Sequence, residues 1–485
     1  LSLLKSSWLL VLFLVTSNLF IPTWAKETET LVQNHPENLC PQDISLAIEK
    51  IINRPQFSHA QWGILIQTAS GQTLYNHNAK KYFVPASNVK LLTTAAVLRE
   101  LGSDFRIETP IYITGKSPNL NSLRLVGRGD PTLTVDILNQ IVNQWRKQGI
   151  KSIKNLVVDN SYFEESSLNY TWEWSDLYNY YGTGVNSLIL NQNQFTLNLI
   201  PQQLNQPVKL TWSDWIAYRQ WRIENYAITA TKDTPYKIQL EGVLGQPVLR
   251  ISGKLAIDSP PDVWDLAVID PANYFLESFR LVLFNQGITI NQGTVLTQPR
   301  QPQLETKFAT IYSPPLQEIL IEINQASNNL FAEAILKIMG KTLNKDSYID
   351  AIQASLTQLG VDPQSYLLVD SSGLSRHNLV TPEALVQTLH LMMKTSEANV
   401  YRSSLAVAGV NGTLANRFQN TSVQNNFQGK TGTLSGIAAL SGYLEVKDYQ
   451  LLIISIIVNN SNLANSTLRQ AIDKIVLLLA KLNYC

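Results

Sequence analysis

Residues 84–98 read VPASNVKLLTTAAVL, and the rest of the chain is read outward from this stretch. Leu91, Leu92, Ala95, Ala96, Val97 and Leu98 fill its middle, Pro85 stands just ahead and Gly102 just behind. Those start and stop signals predict a helix over Ser87–Leu101. Ser87 and Lys90 are three residues apart, so one helix face carries both. A serine at a helix start sits in the positive end of the dipole. A lysine stripped of water beside it loses its proton near neutral pH and can serve as a base. The plain alternative for Ser87 is a helix cap. Ser2-Leu3-Leu4-Lys5 has the same spacing, so the motif alone decides nothing.

Upstream, residues 42–54 show helical apolar spacing, and Gln61–Thr68 and Thr73–Asn76 read as two strands about a Ser70-Gly71 turn. From about residue 107 to 300 the character changes to short β-rich runs, among them Ser122–Gly127, Phe195–Pro201, Lys237–Leu244 and Val248–Lys254, with one helix at Val135–Lys147. Helical spacing returns at Pro315–Asn324, Leu330–Leu343, 347–359 and 382–393. Next come a strand up to about Thr433 and a hairpin of Ile437–Val446 and Tyr449–Val458 across Lys447-Asp448. The amphipathic run 463–483 is expected to cover the sheet, with a membrane-surface helix as the alternative. The simplest organisation is one α/β domain made of 26–106 and 301–485, split by a β-rich insertion at 107–300.

The chain has 485 residues, 45% hydrophobic and 15% charged, with 38 Lys+Arg against 37 Asp+Glu. That is enough apolar content for a large core. The net charge of +1 speaks against a nucleic-acid partner. Two cysteines and five histidines, none in ligand spacing, speak against a zinc module. Lys5, the apolar run Trp8–Phe20 and the small residues Thr23 and Ala25 read as a signal peptide over 1–25, with an uncleaved anchor as the alternative. Export permits a disulfide. Cys40 and Cys485 are its only candidates, and a bridge and two free thiols both stay open.

Two further motifs complete a set. Ser327-Asn328-Asn329 falls in the break between two helical patterns, where capping is the plain reading of Ser327. Lys430-Thr431-Gly432-Thr433 lies on the strand before the final hairpin. A glycine inside a strand marks close approach of another backbone or a ligand, the alternative being an ordinary edge strand. Ser327 lies 240 residues beyond Ser87, and Lys430 another 103 beyond Ser327.

In this order the three motifs resemble those of the active-site serine penicillin-recognising enzymes. The long first gap resembles the type-4 low-molecular-mass penicillin-binding proteins, D-alanyl-D-alanine carboxypeptidase/endopeptidases with domains inserted between the first two motifs. GRGDPTL at Gly127–Leu133 and DSSGLSRHNLVTP at Asp370–Pro382 are similar to that family too, and the likeness covers nearly the whole mature chain. The resemblance implies an α/β, serine β-lactamase-like domain whose antiparallel sheet is flanked by helices and split by the insertion. It implies a periplasmic enzyme that cuts D-Ala-D-Ala bonds in peptidoglycan stem peptides and cross-links through an acyl-enzyme. β-Lactam antibiotics would be covalent inhibitors, and no metal or organic cofactor would be needed.

Residue by residue, the resemblance makes Ser87 the nucleophile and Lys90 its base. Ser327 and Lys430 would relay a proton to the leaving amine, and Asn329 would hold the peptide and the Lys90 ammonium. The Ser87 and Thr433 N–H groups would form the oxyanion hole. Lys430, Thr431 and Thr433 suit a terminal carboxylate, with Gly432 between them. The aromatic segment Trp172–Tyr181, with Asp176, either packs the insertion or covers the site and meets a stem-peptide amine. His377 and the other histidines take no role. The competing functions are a serine β-lactamase and a catalytically silent wall-binding protein.

Overall fold

The computed structural model describes residues 39–299, 305–345 and 347–485. The expected signal peptide over 1–25 lies outside the described residues. The central sheet has six strands in the order Ala406–Val407, Phe427–Leu434, Ile437–Leu444, Leu452–Asn459, Gln61–Thr68 and Thr73–His77, and every pairing is antiparallel. Ile437–Leu444 and Leu452–Asn459 are buried at every position, so both faces of the sheet are covered. Alternation along the strand sorts the side chains between the faces. Ile454, Ile456 and Val458 pack against Ile44 and Ile48 of helix Ile44–Ile52 and against Leu468 and Ile472 of helix Asn465–Leu479. Ile453 and Ile457 join the opposite core, built with helices Val89–Leu101, Leu316–Asn324, Asn329–Thr342, Tyr348–Leu359 and Pro382–Met392. The amphipathic C-terminal run therefore covers the sheet, and its predicted span of 463–483 narrows to Asn465–Leu479.

The final hairpin is shorter than expected. Leu444 pairs with Leu452, which leaves Glu445–Leu451 as the connection rather than Lys447-Asp448 alone. Cys40 and Cys485 are joined as a disulfide with Cα atoms 5.7 Å apart. The Leu39 N–H to Lys481 carbonyl bond (2.8 Å) and the Asn483 N–H to Leu39 carbonyl bond (3.0 Å) hold the two ends side by side.

Between the first helix and the second group of helices the chain builds three more sheets. The largest runs Thr289–Leu296, Ser152–Asp159, Asn119–Val126, Glu108–Lys116 and Thr306–Tyr312. Two of its pairings are parallel, each joined through a crossover that holds a helix, Val135–Lys147 in one and Pro271–Asn285 in the other. Its return strand Thr306–Tyr312 pairs with Glu108–Lys116, beyond the boundary at 300 read from sequence. Helix Pro271–Asn285 was not expected in a β-rich stretch. Its signal was present: Asp270 caps the Asn273 N–H and Pro271 holds the first helical position.

Candidate active site

Ser87 sits in a single 3-10 turn, Ala86–Asn88, that runs directly into helix Val89–Leu101. Ala86 takes φ of 49°, a left-handed conformation costly for a residue with a Cβ. Ser87 Oγ caps no backbone group; its partner is the Lys90 ammonium nitrogen, Nζ, at 3.2 Å. Lys90 Nζ also donates to Asn329 Oδ1 at 2.7 Å and to the Ser372 carbonyl at 2.6 Å. Lys90 is completely buried, and that burial pulls its proton affinity down to about 7, against the opposing charges of Asp370 and Glu333.

Ser327 also has a positive φ, 59°, in the short break between two helices. The cap of helix Asn329–Thr342 is Asn328, whose side chain accepts from the Phe331 N–H, so Ser327 is free of that duty. Ser327 Oγ accepts from Lys430 Nζ at 2.9 Å. Lys430 is fully buried, and burial followed by repulsion from Lys90 holds its proton affinity well below the ordinary lysine range. The two serine–lysine pairs thus lie close enough for their amines to repel.

Gly432 brings the strand against the Ala86–Asn88 turn that holds Ser87. A Cβ there would lie 2.7 Å from the Pro85 carbonyl oxygen and 3.1 Å from Asn88 Nδ2, the close approach expected from its sequence position. Thr433 is exposed on the strand beside it, and Thr431 Oγ1 shares a 2.8 Å hydrogen bond with Thr413 Oγ1. All eight residues singled out from sequence therefore gather around one cleft.

Several residues of this centre were not singled out. Glu333 is buried four residues along the helix from Asn329, and its Oε1 accepts from the Ser371 and Ser372 N–H groups. Asp370 is also buried and accepts from the Gly373 and Ser375 N–H groups, from Asn378 and, at 3.0 Å, from Trp172 Nε1. The Asp370–Pro382 phrase had marked this loop as part of the resemblance, but not its part in the cleft. The aromatic segment meets the centre rather than packing the insertion alone. Asn329 Nδ2 donates to the Tyr181 carbonyl, and Arg376 pairs with Glu173 while reaching the Ser435 carbonyl.

The family described as D-Ala-D-Ala carboxypeptidase 3 (S13) matches this chain over residues 44–482, a span that contains the whole cleft. The chain belongs to that family. Among its relatives, penicillin-sensitive carboxypeptidase A of Dictyostelium discoideum is 28% identical over 91% of this chain and 92% of its own length. A D-alanyl-D-alanine carboxypeptidase of an Actinomadura species is 29% identical over 86% of this chain and 80% of its own. The fold matches the crystal structure of penicillin binding protein 4 from Haemophilus influenzae with a TM-score of 0.77 at 24% identity, covering 89% of this chain and 98% of that one. As an S13 member the chain is a serine-type hydrolase of the D-Ala-D-Ala carboxypeptidase class, with an α/β penicillin-binding fold and a large β-rich insertion.

Proposed function

We propose that Ser87 attacks the carbonyl between two D-alanine residues of a peptidoglycan stem peptide. The observation that carries this reading is the environment of Lys90. It is a buried amine with lowered proton affinity, in hydrogen-bond reach of Ser87 Oγ and with two further acceptors ready for its ammonium form. Neutral Lys90 takes the Ser87 hydroxyl proton as the new C–O bond forms, and Asn329 Oδ1 and the Ser372 carbonyl hold the resulting ammonium. The Ser87 and Thr433 N–H groups stabilise the oxyanion. As the C–N bond breaks, Ser327 gives its proton to the leaving nitrogen and recovers one from Lys430. Water then hydrolyses the ester. Lys430, Thr431 and Thr433 take the terminal carboxylate, and Gly432 lets that strand lie against the nucleophile turn. Asp176 supplies a negative charge for a stem-peptide amine.

Carboxypeptidase and endopeptidase action share the acyl-enzyme and differ in the amine that leaves. We assign residues 26–106 and 301–485 to the catalytic domain and 107–300 to the insertion, with the return strand Thr306–Tyr312 as its seam. Residues 1–25 act as the export signal, and the mature enzyme works in the periplasm, where its substrate lies. The test is digestion of purified muropeptides followed by mass analysis, with labelled penicillin as a probe of Ser87. Release of D-alanine or of cross-linked partners supports the reading. Rapid penicillin turnover with muropeptides untouched overturns it in favour of a β-lactamase, and neither labelling nor hydrolysis overturns it in favour of a wall-binding protein.

A further inference from the structure

A buried carboxylate two hydrogen bonds removed from Lys90 has no part in the scheme above. Glu333 lies one turn beyond Asn329, so the same face of helix Asn329–Thr342 carries both. It is 3% exposed. A single oxygen, Oε1, accepts from two successive backbone N–H groups, Ser371 at 3.0 Å and Ser372 at 2.9 Å. The carbonyl of that same Ser372 accepts from Lys90 Nζ at 2.6 Å. The connection therefore runs from the carboxylate through the backbone of one residue, Ser372, to the lysine.

We propose that Glu333 is a positioning residue for acylation, which clamps the Ser371–Ser372 backbone so that the Ser372 carbonyl aims at Lys90, and whose negative charge sets the pH at which Lys90 becomes a base. The proposal rests on the reading of Lys90 as the base.

Three physical points support it. A carboxylate is an unusual thing to leave in a core, and it persists only where it is paired or hydrogen-bonded. Serving two N–H groups at once fixes the orientation of a loop with no regular secondary structure, over a separation of 38 and 39 residues in sequence. Burial and the neighbouring Asp370 lift the proton affinity of Glu333 to about 7, while Lys90 is drawn down to about 7. The charges of Asp370 and Glu333 both pull the proton affinity of Lys90 back up, so the charge on Glu333 is felt at the amine.

Other charges face this pair from every side. Asp370 stands on the loop. Lys337, one turn along the helix from Glu333, is buried against the Ser166 and Val185 carbonyls. Tyr348, on helix Tyr348–Leu359, is kept neutral by burial and by Glu333. Lys430 repels Lys90 from the strand. Asp370 holds the Gly373 N–H of the peptide whose carbonyl meets Lys90, and Glu333 holds the two N–H groups just before it, so Glu333 fixes Ser372 from its N-terminal side.

The two roles separate by substitution. Glu333→Gln keeps an oxygen for both N–H groups and removes the charge. Without that charge Lys90 gives up its proton more readily, so the acid limb of penicillin acylation should move down by roughly one pH unit, with the plateau rate within about tenfold of wild type. Glu333→Asp keeps the charge but withdraws the oxygen, so the plateau should fall at least tenfold while the limb stays near its wild-type position. A general loss of packing would lower the plateau without this split. Acylation profiles of both variants that superimpose on wild type overturn the proposal. If one variant does not fold, the other decides alone. Lys90→Ala, run alongside, separates the two readings. Wild-type acylation in that variant removes the lysine base and the proposal with it. An inactive Lys90→Ala with unshifted Glu333 variants removes the proposal only.

Discussion

A Cβ on Gly373 would lie 2.0 Å from the carbonyl oxygen of Ala86, the residue just before Ser87. The loop that holds Lys90 and the turn that holds Ser87 are pressed together, backbone on backbone, and φ of +81° at Gly373 makes the contact possible. Neither segment can shift without moving the other.

Gly373→Ala should accordingly displace the Ala86–Ser87 turn. The backbone conformation alone costs about 1–3 kcal/mol for a residue with a Cβ, and the steric contact adds to it. We expect a lowered Tm and penicillin acylation slowed at least tenfold, read by thermal denaturation and by labelling kinetics. Wild-type acylation would show that the turn adapts freely.

Ser87→Ala should abolish both hydrolysis and penicillin labelling, since on the proposed reading the ester forms on Ser87 Oγ. Lys90→Ala should slow acylation by the upper part of the roughly 10²–10⁴ range for loss of a general base. Mass spectrometry of the protein after incubation with penicillin checks both. A covalent adduct on the Ser87→Ala protein sinks the assignment.

Acylation should depend on pH through Lys90. With its proton affinity near 7, the amine is protonated and inert as a base at lower pH, so the rate should fall about tenfold per unit below that point. Stability follows the same group. Between pH 7 and about 10 the unfolded chain keeps a proton on this lysine that the folded protein lacks. The unfolded state binds more protons there, so the lysine's contribution makes stability rise with pH across that window. The difference in unfolding free energy between wild type and Lys90→Ala, followed by urea titration from pH 7 to 10, should grow with pH. A flat difference would place the amine in water.

Removing the disulfide should cost stability and spare catalysis. Cys40 and Cys485 are separated by 445 residues. The chain-entropy relation gives an upper bound of about 6 kcal/mol for such a loop, and bridges commonly deliver about 2–4 kcal/mol. Reductant or Cys485→Ser should lower the Tm while the rate of penicillin acylation stays unchanged. An unchanged Tm would show that the ends are held by Leu39, Lys481 and Asn483 alone.

The parts of this protein legible in its sequence are those fixed by local spacing. Ser87 and Lys90 lie three residues apart at a helix start. The strand Gln61–Thr68 and the helix Val135–Lys147 emerge with the bounds their apolar patterns predict. The order of three motifs carried the site, because each is short and local. What stayed hidden depends on distant partners. Glu333 looks like any polar position in an amphipathic helix until Ser371 and Ser372 arrive beside it. The positive φ at Ala86 and Ser327 leaves no trace, since neither residue is a glycine. Tyr274, Phe275, Leu276, Phe279, Val282 and Leu283 are all buried along Pro271–Asn285. Phe275, Leu276, Phe279, Val282 and Leu283 are spaced as a helical stripe, a local signal overshadowed by the strands on either side.

The bond between residues 40 and 485 turns the described chain into a covalent ring that encloses every sheet. A protease that nicks the exposed turn near Leu244, which is 74% exposed, would open that ring without releasing either piece. The nicked enzyme would run as one species on a denaturing gel without reductant and as two with it. Damage at one loop becomes a scar rather than a loss.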